Sequence, residues 1–61
     1  MTNLERDVQI AENRIKECEE RRTYFAEQFK TTGQQLYKKL AESETDIIAE
    51  IRQAIIEALV K

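Results

Sequence analysis

Phe29-Lys30-Thr31-Thr32-Gly33-Gln34-Gln35-Leu36-Tyr37 is the stretch on which the fold turns. Two β-branched threonines lead into a glycine, the residue that most readily takes the left-handed conformation that ends a helix. Gly33 is the only glycine in the 61 residues, and there is no proline. The chain on both sides is rich in Ala, Leu, Glu, Lys, Arg and Gln, all good helix formers. One break between two helix-forming stretches predicts a helix over about residues 2–30, a turn over 31–33 and a second helix over about 34–60. Thr2, with Glu5 three residues on, reads as a capping box for the first helix. At 1.5 Å per residue each helix is about 40 Å long. Helices of matched length joined by a short turn lie antiparallel, so the fold class is all-α, a coiled-coil-like two-helix hairpin forming a single domain.

The apolar spacing supports the same reading. Leu4, Val8, Ala11, Ile15, Cys18, Phe25 and Phe29 recur at alternating steps of four and three, the seam of a coiled coil, with Arg22 as the one interruption. The second helix carries Tyr37, Ala41, Ile48, Ile51, Ile55 and Ala58 at the same steps, interrupted by Glu44. Folding at the turn sets Phe29 against Tyr37, Phe25 against Ala41, Cys18 against Ile48 and Ile15 against Ile51. In that register the two interruptions meet, and Arg22 with Glu44 forms the register pair of the hairpin. Ser43-Glu44-Thr45-Asp46 offers an alternative helix start, at which the second helix would kink.

Each helix also holds apolar residues that a single seam does not use. Leu36, Leu40, Ile47 and Ala54 line one edge of the second seam, and Ile56 and Leu59 the other, while Ile10 and Tyr24 lie on the outer face of the first helix. An organised second stripe marks an interaction surface. A chain this short buries only about 60% of the surface its unfolded form exposes, so further burial against a partner would stabilise it appreciably. These eight residues are the expected partner interface. The partner is either a second copy, giving a four-helix bundle dimer, or a different protein with a matching groove.

Several chemistries lack their residues. There is no histidine, and Cys18 is the only cysteine, which excludes an intrachain disulfide and leaves no expected metal site or cofactor. Cys18 lies on the buried stripe without an activating base, so no catalytic residue is expected and the chain does not read as an enzyme. Lys and Arg total 10 against 12 Asp and Glu, a net charge of −2 with mixed signs, and this gives no electrostatic case for nucleic acid. The amphipathic run from Asp46 to Lys61 carries Asp46, Glu50 and Glu57 on its polar face, which argues against an anionic membrane surface. No apolar run reaches the ~18 residues of a membrane span, and the opening residues are too polar for a secretory signal. A single unpaired thiol fits a reducing compartment, so the expected location is the cytoplasm.

The chain resembles the small helical-hairpin co-chaperones of the type III secretion needle subunit, part of a bacterial virulence apparatus. The resemblance rests on the opening Met1-Thr2-Asn3-Leu4-Glu5, the length, the glycine-marked turn, Tyr37 soon after it, and Ala54-Ile55-Ile56 near the C-terminus. It spans the chain through short motifs. It implies that the hairpin binds a larger helical-repeat chaperone and covers that protein's apolar surface. Through that chaperone the needle subunit would be kept monomeric in the cytoplasm. The chain departs from the family pattern in a shorter turn and in the polar stretch Ser43 to Asp46. A phage or plasmid regulator acting by protein binding would share the same features.

Overall fold

In a computed structural model that describes residues 3–60, α1 spans Asn3–Thr32 and α2 spans Gln35–Leu59. The two pack along their length as an antiparallel hairpin measuring 45 × 18 × 10 Å. The all-α hairpin expected from the sequence is the fold observed. Thr2, half of the expected capping box, lies outside the described residues.

The turn is tighter than the sequence suggests. Thr31 and Thr32 continue α1, because each hydroxyl donates to the carbonyl one turn back, Thr31 to Glu27 at 3.0 Å and Thr32 to Gln28 at 2.8 Å. The β-branched side chains thus satisfy helix carbonyls instead of ending the helix. Gly33 then takes φ +71°, and its N–H donates to the Phe29 carbonyl at 2.7 Å, a left-handed C-cap. Gln34 is extended, at φ −76° and ψ 127°, and α2 begins at Gln35. The connection is therefore Gly33-Gln34 alone. The expected helix ends shift by two residues at most, the largest shift being the end of α1 at Thr32.

The alternative kink at Ser43 does not form. α2 runs unbroken through Ser43–Asp46, and the Thr45 hydroxyl donates to the Ala41 carbonyl at 3.2 Å, a bond made within the continuous helix.

Apart from Leu4, both seams are where the spacing places them. Ile15, Cys18 and Ile48 are buried, with Ile51 and Ile55 packed against them. Val8, Ala11, Arg22, Phe25 and Phe29 of α1 are half-buried, as are Tyr37, Ala41, Ile51, Ile55 and Ala58 of α2. Near the turn, Tyr37 stacks on Phe25 with ring centroids 6.5 Å apart, not on Phe29 as the simple pairing suggests. Each side chain of a coiled-coil seam sits in a hole between neighbours on the facing helix, so a ring reaches the residue one step along.

Candidate functional site

The polar interruption of the seam is a three-residue cluster. Glu44, 9% exposed, is the buried charged residue of the hairpin. Its carboxylate accepts from Arg21, Nε to Oε1 at 2.9 Å and Nη2 to Oε2 at 3.4 Å. The same Nη2 lies 3.3 Å from the Cys18 Sγ.

The expected register pair of Arg22 with Glu44 is thereby corrected: Glu44 is bonded to Arg21. Arg22 does lie at the helix seam, half-buried, and lines a groove on the opposite face with Ala26, Phe29, Lys38 and Ala41. Geometry explains the exchange. A guanidinium starting on the seam would have to be desolvated to meet Glu44. Arg21 starts on the flank, keeps its side chain 51% exposed, and reaches inward over its own stem. The seam positions predict which residues face inward, and they do not predict which long side chain reaches in from the side.

The cluster sets its own protonation states. The hydrogen bonds from Arg21 hold the Glu44 carboxyl below the usual carboxylate range, against the opposing effect of burial. Burial first, and Glu44 second, push the Cys18 thiol up, so the thiol stays protonated and unreactive at neutral pH. Among the described residues no three His, Cys, Asp or Glu side chains are grouped to hold a metal ion.

The apolar residues outside the seam divide between two faces. Successive residues turn by about 100°, which places Ile10, Arg14, Glu17, Arg21 and Tyr24 along one side of α1. The same rotation places Leu36, Leu40, Ile47 and Ala54 along one side of α2. These two sides form one face of the hairpin. At its open end a shallow groove of about 410 Å³ brings Ile10 and Arg14 of α1 together with Ala54 and Ala58 of α2. Ile10 is 47% exposed, Tyr24 53%, Leu36 59% and Ile47 40%, while Leu40 is half-buried and Ala54 is exposed. Six of the eight expected interface residues therefore share one surface.

Ile56 and Leu59 do not belong to it. They are exposed toward the other face near the open end, as is Val60 beyond them. On that face Arg52 lies 3.7 Å from Glu19, and both are solvated. Leu4 is also exposed although the spacing places it in the seam, because it sits in the first turn of α1, where little of α2 remains to cover it.

No helix among the described residues is long and apolar enough to cross a membrane. No protein-family model matches the chain, no curated protein does, and no solved structure does.

Proposed function

We propose that this hairpin is a protein-binding co-chaperone, not a catalyst. Its apolar face docks on a larger helical-repeat chaperone, and the pair keeps a type III secretion needle subunit monomeric in the bacterial cytoplasm. The observation that supports the reading is the single surface shared by Ile10, Tyr24, Leu36, Leu40, Ile47 and Ala54, much of it open to solvent. Isolated surface apolar residues are ordinary, but six on one face of a two-helix domain, interspersed with Arg14, Glu17 and Arg21, support a protein-binding surface. Burial of each large side chain contributes about 1.5–3 kcal/mol, and several together rival the stability of so small a domain. The short opening motif, the glycine-marked turn and the Ala54-Ile55-Ile56 segment point to the needle system in particular.

The test is co-purification with a purified helical-repeat needle chaperone, read by size-exclusion chromatography with multi-angle light scattering. A complex of defined stoichiometry is expected, and Leu40→Asp with Ile47→Asp should abolish it. No complex with the wild-type chain, or one unaffected by both substitutions, rules the assignment out.

A further inference from the structure

We propose that the groove beside the turn, on the face opposite Ile10 and Ile47, is a second docking site whose occupant is an acidic amphipathic helix of a partner protein. The inference stands on residues that the function proposed above does not use.

The groove follows from the interruption of the α1 seam. Where a coiled coil would seat a large apolar side chain, position 22 is an arginine, and the facing helix offers only the methyl group of Ala41. Arg21 serves Glu44 from the other flank, which leaves Arg22 without a hydrogen bond or ion pair among the described residues. Arg22 instead lines a shallow groove of about 570 Å³, floored by Ala26, Phe29 and Ala41.

Charge selects an acidic occupant. The groove is lined by three cations, Arg22, Lys30 and Lys38, and by two carboxylates, Glu27 and Glu42. Their order across each helix is what matters. At about 100° per residue, Arg22 starts about 25° from the centre of the α1 seam, Lys30 about 105° and Glu27 about 165°. On α2, Lys38 starts about 95° from its seam and Glu42 about 135°. The cations therefore border the apolar floor, and both carboxylates start farther out, toward the backs of the helices. Neither lysine is held by an ion pair among the described residues. A carboxylate laid over the floor meets positive charge from α1 and from α2.

Shape selects a helix. Both walls of the groove are helices, so they offer no strand edge to an extended peptide. A third helix satisfies its own backbone and lies along the groove as a further member of a bundle. A small molecule would stay largely in water here, whereas small-molecule sites enclose most of their ligand. The partner helix fits when a large apolar side chain rests on Phe29 and Ala41. Acidic residues three or four positions from it then reach Arg22, Lys30 and Lys38.

The experiment uses the full chain, labelled with nitrogen-15. The probe is a helical peptide of about 18 residues, long enough to be helical in isolation, with leucines on one face and glutamates flanking them. A control peptide carries lysines in place of the glutamates. The acidic peptide should shift the amide resonances of Ala26, Lys30, Lys38 and Ala41, and the control should bind at least about tenfold more weakly. Lys30→Glu with Lys38→Glu changes two exposed positions, so the variant keeps its helical circular dichroism. It should weaken the acidic peptide at least about tenfold. Equal binding of the two peptides overturns the inference, as does no binding at millimolar peptide or a set of shifts confined to the face of Ile10 and Ile47. Concentration-dependent shifts of the same amides in the chain alone overturn it too, because a second copy would then occupy the groove.

Discussion

Replacing Glu44 with leucine should stabilise the hairpin, although it deletes an ion pair of good geometry. The carboxylate is nearly buried, with its side chain 11% exposed, whereas Arg21 is 51% exposed. A pair with one partner this solvated contributes about 0–1 kcal/mol. Removing a carboxylate from water costs several kcal/mol before its hydrogen bonds offset it. A leucine at the same position adds about 1.5–3 kcal/mol of apolar burial, reduced because the seam is one side chain deep. The net gain expected is about 1–2 kcal/mol at pH 7, which raises Tm by roughly 4–16 °C for a domain of this size. The lowered carboxyl pKa does not conflict with this, because it compares the charged with the neutral carboxyl and not with hydrocarbon. It does set the pH dependence. A folded pKa below the unfolded one contributes stability that is present above the ordinary value of 4.5 and lost as pH falls through the folded value. The wild-type chain therefore weakens below about pH 4.5, the leucine variant lacks that loss, and the gap between them widens in acid. Thermal unfolding followed at 222 nm by circular dichroism, at one protein concentration and at pH 7 and pH 4, measures both. A leucine variant that melts at or below wild type at pH 7 refutes the reasoning, since the buried pair would then be net stabilising.

Arg21→Ala leaves Glu44 buried without its charge partner and should cost about 1–3 kcal/mol, while Arg22→Ala should cost under about 0.5 kcal/mol; equal losses in urea titrations would contradict the assigned partner. Ile48→Ala removes most of the side chain of the most buried residue, at 2% exposure, and should cost about 2–4 kcal/mol by the same titrations. Gly33→Ala meets no atom within 4 Å, so its cost of about 1–2 kcal/mol comes only from the left-handed backbone, and Gly33→Asn should recover part of the lost Tm. Cys18 should react with a thiol reagent at the rate of global or local opening, because burial raises its pKa; stability should also decline above about pH 9 as the unfolded thiol ionises while the folded one does not.

The seam was legible because periodicity at four and three steps fixes which residues turn inward, whatever their partners. That is why Glu44 could be placed on the seam from its number alone. Its true partner was not legible, since Arg21 and Arg22 differ only in whether the stem starts on the flank or on the seam. The choice is made by desolvation, which spacing does not encode. The end of α1 was misread for a related reason. Thr31 and Thr32 lower helix propensity as residue types, but their hydroxyls bond to the carbonyls of Glu27 and Gln28 in this setting. The exposed apolar residues could be identified helix by helix. That Ile10 and Tyr24 share a face with Leu36, Leu40, Ile47 and Ala54, and that Ile56 and Leu59 do not, depends on how the two helices roll against each other. The seam positions of both helices, once brought together, settle that roll.

The two-residue turn at Gly33-Gln34 shapes how the hairpin forms as well as how it looks. Each seam layer closes a loop only slightly larger than the layer before it, so the loop entropy lost per added layer is small and rises slowly outward from the turn. The Phe25–Tyr37 stack near the turn closes first in this order, and the Arg21–Glu44 bond divides it from the isoleucine layers at the open end. The hairpin therefore behaves as a zipper with a hinge at one end and two teeth sets of different character. Fraying starts at the free ends, and re-closure is local and fast, on the microsecond scale of short helical hairpins.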